Sequence, residues 1–181
     1  KILAIVGAGH LMGMVPGFDK PPDQIRMNEL TQKPQPSRVG YFIGWGICFF
    51  ILGMFYVGYQ QSPELGWSLV VTWVLINGGL SALGATLALA HPVSILAAFL
   101  AAPLTSLNPT IGAGMVVGLI ESYLRKPKVT DFERLRDDIS SFPMWWKNGV
   151  VRVLLVFFFA NVGSAVGTYV AGASIIQQIL S

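Results

Sequence analysis

Between Val39 and Tyr123 only two residues of this chain, Glu64 and Glu121, carry a formal charge. That pattern does not suit a water-soluble fold. A soluble domain carries about 25% charged residues, interleaved with apolar ones at the period of a helix or a strand. Here charged residues make up 12% of the 181-residue chain and hydrophobic ones 53%, and the apolar residues lie in long blocks. A chain so patterned is built for lipid. It reads as the membrane-spanning end of a larger protein, with the bilayer as its first partner.

Three blocks, residues 39–59, 67–90 and 150–176, are long enough to cross, since about 20 apolar residues suffice. Trp67 and Trp73 suit an interfacial end of the second block. The stretch from His91 to Tyr123 is different. Pro103 and Pro109 interrupt it, with Thr105, Ser106 and Asn108 between them. Its halves, 93–102 and 109–123, would each be about 15 to 22 Å long at the α-helical rise. That is too short to cross comfortably. The reading is a re-entrant pair of half-helices, with Asn108 as N-cap and Pro109 in the first turn of the second half. One long kinked span is the alternative. Residues 125–147 are polar. Thr130-Asp131-Phe132-Glu133 has the capping-box pattern, and Phe132, Leu135 and Ile139 recur at helical spacing. They predict an amphipathic surface helix over 130–141, ahead of Trp145 and Trp146 at the interface. The expected fold class is an all-α integral-membrane helical bundle.

The formal charge of +3 could point to nucleic acid, but its distribution points elsewhere. The Lys and Arg residues fall in two places only: before the first block, ending at Arg38, and around the second polar stretch, from Arg125 to Arg152. The turn 60–65 and the C-terminal tail have none. The positive-inside rule therefore puts both basic regions and the N-terminus in the cytoplasm and the C-terminus outside. His91 and Arg125 then lie on the same side, which a re-entrant pair satisfies. Residues 1–38 are too few to bury a core. A short apolar run at 2–6 reads as a strand, residues 23–30 as a short helix and 32–37, with Pro34 and Pro36, as an extended linker. Neither the run at 2–6 nor Gly7-Ala8-Gly9-His10 makes a signal peptide. This segment is expected to be the end of a domain that begins upstream. Cys48 stands alone and reads as a packed small hydrophobe.

Each chemistry-bearing residue has a structural reading beside a functional one. Thr105, Ser106, Asn108 and Thr110 form a polar cluster at the break, where backbone at membrane depth needs protein or water partners. They read as caps for the broken helix or, at the positive dipole end of a helix N-terminus, as a small-solute or anion site. Asn77 and Asn161 are further polar groups at that depth, available to the break or to helix–helix bonding. His91 reads as an interfacial cap or as a titrating gate. Glu121 and Arg125 form an i,i+4 pair. The Gly40/Gly44, Gly114/Gly118 and Gly163/Gly167 spacings predict close helix packing, within one chain or in a homo-oligomer. Taken alone, His10 reads as a solvated loop histidine.

Several of these blocks resemble one known family. Val6-Gly7-Ala8-Gly9-His10-Leu11, Ala90-His91-Pro92-Val93-Ser94, the run from Ala101 to Pro109, Arg125-Lys126-Pro127-Lys128-Val129 and Asn161-Val162-Gly163-Ser164 are similar to the TraB/PrgY (pheromone shutdown) family. The match covers nearly the whole chain. It implies a cytoplasmic hydrolase-like TraB domain upstream, joined to a C-terminal integral-membrane region in a prokaryotic cell membrane. The family is also similar to Tiki-type proteases, whose metal sites use two separated Gly-x-x-His or Gly-x-x-Glu motifs. Gly7-Ala8-Gly9-His10 resembles the second of these. On that resemblance His10 is a catalytic or divalent-metal residue of the full-length protein. It has no partner motif in this chain, and the fragment itself is expected to hold no cofactor. The expectation is a membrane anchor and scaffold for a metal-dependent peptidase, with a small-solute transporter or channel-like domain as the alternative.

Overall fold

The computed structural model describes Gly7, residues 13–14, Gln24–Thr31 and residues 38–180. The expected strand at 2–6, His10 and the linker 32–37 lie outside the described residues. The chain divides into two units, Lys1–Ser37 and Arg38–Ser181. In the first, helix α1 (Gln24–Thr31) ends with the Thr31 hydroxyl donating to the Met27 and Asn28 carbonyls. Among the described residues every regular element is helical.

The second unit contains α2 (Val39–Gln61), α3 (Pro63–Leu87), α4 (Pro92–Thr105), α5 (Ala113–Arg125), α6 (Val129–Glu133), α7 (Leu135–Ile139), a 3₁₀ turn (Phe142–Met144) and α8 (Gly149–Leu180). Helices α2, α3 and α8 are long and apolar enough to cross a membrane. At 1.5 Å per residue they measure roughly 35 to 48 Å, more than the hydrocarbon thickness of about 30 Å. Their outward faces carry exposed Phe42, Phe49, Phe50, Leu75, Leu83 and Phe158. A soluble surface does not sustain so continuous an apolar face.

Local chemistry sets where the helices begin and end. Between α2 and α3 the expected turn at 60–65 shrinks to Ser62. Its hydroxyl accepts from Leu65 N at 3.1 Å, and Pro63 occupies the first helical position, where a missing N–H costs nothing. Helix α3 stops at Leu87, and Leu89 takes a left-handed conformation, φ 55°. Ala90 N then bonds Ala85 O and Leu89 N bonds Thr86 O, so the last carbonyls are used. Helix α4 runs through Pro103 to Thr105 rather than ending at 102. The carbonyl that Pro103 leaves free, that of Phe99, faces Gly78 of α3, where there is no side chain to obstruct it. Two further expectations change. The surface helix at 130–141 is two short helices, because Asn148 Nδ2 takes the Asp131 carbonyl at 2.8 Å, the acceptor a continuous helix would use four residues on. The cap is Asp131 bonding Lys128 N at 2.8 Å, two residues ahead of the Thr130–Glu133 box.

The bundle is antiparallel around α3. Gly58 of α2 packs on Leu69 of α3, and Gly66 of α3 on Tyr59 of α2. Ser68 and Thr72, early in α3, reach Gln178, late in α8. Ser81 donates to Ala160 O further along the same pair. Helices α4 and α5 form a hairpin whose two feet meet and whose tip reaches mid-bundle. Arg38, the α3–α4 turn and the basic segment between α5 and α8 consequently share one end. Trp146 Nε1 bonding Leu87 O at 3.1 Å fixes that segment to α3.

Between apolar helices in lipid the hydrophobic drive is weak, so close van der Waals approach decides packing. Gly84 faces the Phe159 carbonyl, Gly163 the Leu80 carbonyl and Gly167 the Asn77 backbone. Gly114 and Gly118 meet Phe157, and Gly44 meets Pro109. These glycines serve contacts within one chain. Gly40, by contrast, has open space around it. Gly163→Val is expected to lower stability by about 1–3 kcal/mol, the usual cost of overpacking, while Gly40→Val leaves the midpoint unchanged. Thermal unfolding in detergent micelles, followed by tryptophan fluorescence, tests the pair.

Candidate functional site

Asn77 lies in the middle of α3, between two apolar clusters. One cluster gathers Ala85, Ala98, Val117, Val156 and Ala160, and the other Ile51, Leu69, Trp73, Ala171 and Ile175. The layer between them is polar. Asn77 Oδ1 accepts from Ser106 Oγ at 3.2 Å and from Ser164 Oγ at 3.1 Å, and the two serine hydroxyls are 2.8 Å apart. Asn77 Nδ2 donates to Thr168 Oγ1 at 3.0 Å, which in turn donates to the Ser164 carbonyl at 2.9 Å. Asn77 is fully buried. A buried amide without partners would cost several kcal/mol in an apolar medium; here both of its ends are bonded. This network joins α3, the end of α4 and α8.

The broken segment is held at its tip from outside. Trp73 Nε1 donates to the Pro103 carbonyl at 3.0 Å, and Cys48 Sγ to the Leu107 carbonyl at 2.9 Å. Asn108 does not cap the following helix. Its Oδ1 accepts from Thr110 N at 3.0 Å and from the Thr110 hydroxyl, closing a local turn. Pro109 packs on Gly44 instead of entering the helix, and α5 starts four residues later, at Ala113. Its cap residue, Gly112, has no side chain to offer. Asn161 of α8 supplies the acceptor, with Oδ1 taking Gly114 N at 2.9 Å. Thr105 bonds back to the Ala101 and Ala102 carbonyls of its own helix.

The residues expected to form one membrane polar site therefore separate. Asn77 and Ser106 share a network. Asn161, Thr105 and Asn108 lie beside it around a cleft of about 300 Å³, which Gly44, Gly112, Ala165 and Tyr169 also line. His91 is at the feet of the hairpin. There the Glu121 carboxylate, fully buried, takes Arg125 Nε at 2.6 Å and His91 N at 2.9 Å. Arg125 Nη2 donates to the Leu89 carbonyl at 2.9 Å, and His91 Nδ1 accepts from Val93 N at 3.2 Å, capping α4. Glu121 thus holds both ends of residues 91–125 together as well as forming its helical pair.

Sequence reasoning passed over Ser164, Thr168 and Asn148. The first two were legible, since Asn161, Ser164 and Thr168 fall on one helical stripe at i, i+3 and i+7. Asn148, buried, accepts from Val150 N and Val151 N and donates to Asp138 Oδ2, so it caps α8 while tying the preceding loop. Among the described residues no group of three or more His, Cys, Asp or Glu is placed to hold a metal ion, and His10 lies outside them.

Two stability predictions follow from these bonds. Asn77→Leu strands Thr168 and the serine pair, and is expected to cost about 2 kcal/mol, given that one interhelical hydrogen bond in a membrane bundle contributes about 0.6–1.7. Arg125→Ala leaves a buried carboxylate unpaired. Its cost is expected near 3 kcal/mol, the low end for a broken buried pair because Arg125 is a third exposed. Adding Glu121→Gln to it recovers part of that loss. Urea or thermal unfolding midpoints in micelles report both, and strict additivity of the Glu121 and Arg125 changes would remove the pair from the account.

A model of the TraB family protein C-terminal domain matches residues 39–180. An uncharacterized protein of Methanocaldococcus jannaschii is 33% identical over 178 residues, which cover 93% of this chain and 44% of that protein. The chain thus spans less than half the length of that relative. No solved structure matches.

Proposed function

The chain belongs to the TraB family, and from that premise we propose that residues 39–180 are a bilayer anchor holding and organising a hydrolase-like TraB domain in the full-length protein. The observation that carries this reading is a coincidence. The region matched by the family model is also the region with three helices able to cross a membrane, and the basic residues outside Lys1–Ser37 collect at one end of it. On the positive-inside rule that end is cytoplasmic. The N-terminus is then inside and the C-terminus outside. The α4–α5 hairpin enters and leaves on the cytoplasmic side as a re-entrant pair, with α6 and α7 on the cytoplasmic surface.

The length of the archaeal relative that this chain does not span leaves room for the soluble domain. The resemblance in the first residues assigns His10 to that domain's second metal motif, with the remaining ligands upstream. The full-length activity on this reading is a metal-dependent peptidase acting in signalling-peptide or pheromone shutdown. The apolar outward face of α2 supports association into a homo-oligomer.

The full-length protein is expected to resist alkaline carbonate extraction. In right-side-out vesicles, a cysteine placed at Gln178 should react with an impermeant maleimide and one placed at Arg136 should not. Release by carbonate ends the anchoring reading. Labelling at Arg136 alone reverses the orientation while leaving the anchor intact.

A further inference from the structure

Charge is unevenly shared at the basic end of the bundle. Along 133–147, Arg134, Arg136 and Lys147 meet as many carboxylates: Glu133, Asp137 and Asp138. Around the end of α5 the balance differs. Arg125, Lys126 and Lys128, with Arg152 of α8, stand against Glu121 and Asp131 alone. Both of those carboxylates are occupied. Glu121 is buried against Arg125 and His91 N, and Asp131 Oδ2 takes Lys128 N. Arg152 lies within electrostatic reach of Arg125 and Glu121, and its Nε is buried without an acceptor among the described residues. Among those residues neither Lys126 nor Lys128 has an ion pair. Lys126 is also unusual in its backbone. It ends α5 in a left-handed conformation, φ 47°, where glycine or asparagine is the ordinary choice. A lysine there is a strained choice that keeps a cation at the helix end.

Next to these cations an apolar groove of about 320 Å³ runs between α5 and α8. Met115, Leu119 and Ser122 form one wall at i, i+4 and i+7, and Lys126 follows one turn on, its N bonding Ser122 O at 2.9 Å. Val153, Leu154 and Phe157 form the other wall. One turn before Val153, Gly149 packs on Pro127, so the two walls close beside Lys126. From Met115 to Ser122 the groove extends about 10 Å at the helical rise. Leu119, Leu154 and Phe157 are exposed, so it opens outward and not into the bundle. An apolar slot that ends in unpaired cations suits an amphiphile with an acyl chain and an anionic head. A zwitterionic head would set its own cation against the lysines, and a soluble anion or an acidic protein face would leave the slot unused. We propose that the α5–α8 groove with Lys126 and Lys128 is a binding site for one anionic phospholipid of the cytoplasmic leaflet. An acyl chain lies in the groove and the two lysines receive the headgroup phosphate. The site rests on the anchoring reading for its leaflet and goes beyond it in its chemistry.

Native mass spectrometry of the full-length protein, released from a neutral detergent, counts bound lipids directly. One dioleoyl phosphatidylglycerol per chain is expected to bind about tenfold more tightly than dioleoyl phosphatidylcholine, the order of effect two surface cations supply. Lys126→Asn with Lys128→Gln suits the left-handed position and should remove the preference. Arg134→Gln with Arg136→Gln, the same loss of charge in the balanced stretch, should keep it. Leu154→Trp, which fills the groove, should weaken both lipids, and glycerol 3-phosphate should displace neither. Equal affinity for the two lipids overturns the site. So does a preference that survives the lysine changes, or one that falls as far with the arginine changes. Undiminished binding to Leu154→Trp takes the acyl chain out of the groove, and displacement by glycerol 3-phosphate makes the ligand a free phosphate; either result overturns the lipid assignment. Anchoring fails by a separate sign: a full-length protein that stays dispersed once detergent is withdrawn has no leaflet to face, whichever lipid it binds.

Discussion

A helix can be interrupted inside an apolar bundle only if the groups it frees are bonded by something else. Residues 106–112 are where this chain faces that requirement, and much of the bundle is arranged toward it. Trp73 and Cys48 approach from two helices to take carbonyls at the end of α4. Asn77 and Ser164 bond Ser106, and Thr168 in turn bonds Asn77. Asn161 reaches across from α8 to begin α5. Three helices, α2, α3 and α8, thus converge on one break, and the polar layer they form with it divides the apolar interior into its two clusters.

The same convergence accounts for the small residues. Side-chain amides and hydroxyls reach neighbouring helices only when the backbones are close, and a Cβ at Gly84, Gly163 or Gly167 would meet backbone atoms of the opposite helix. Glycine packing and polar bonding are therefore one design in α3 and α8. The close approach brings Ser81 to the Ala160 carbonyl and Asn77 to Thr168. Small residues in lipid do what large apolar ones do in water, because what has to be gained is contact and not escape from solvent.

How much of this could be read from the chain depends on the range of the interaction. The three long helices were legible because composition over 20 residues is a local property, and the interruption between Pro103 and Pro109 was legible for the same reason. Its boundaries were not. Asn108 and Pro109 have the credentials of a helix start, and only Gly44 and Asn161, distant in sequence, move that start to Ala113. Likewise the helix expected at 130–141 divides because Asn148 competes for the Asp131 carbonyl. Glu121 and Arg125 were recognised as neighbours on one helix, but the bond to His91, thirty residues away, has no trace in spacing. Asn77 and Ser106 in the polar layer, and Asn161 beside it, were identifiable as polar groups in an apolar setting. Which of them touch is a tertiary fact.

One of these bonds orders events during synthesis. The first turn of α5 lacks a capping side chain of its own and draws its acceptor from Asn161, which the ribosome delivers well after α5 itself has been made. Ser164 and Thr168 arrive later still. Until then Asn77 and Ser106 have each other but not their remaining partners, so the hairpin waits in an incomplete state for the last helix. The C-terminal helix is thus the piece that finishes assembly, and a nascent chain stopped before it would present to the insertion machinery and to membrane proteases a loop with its amides still open.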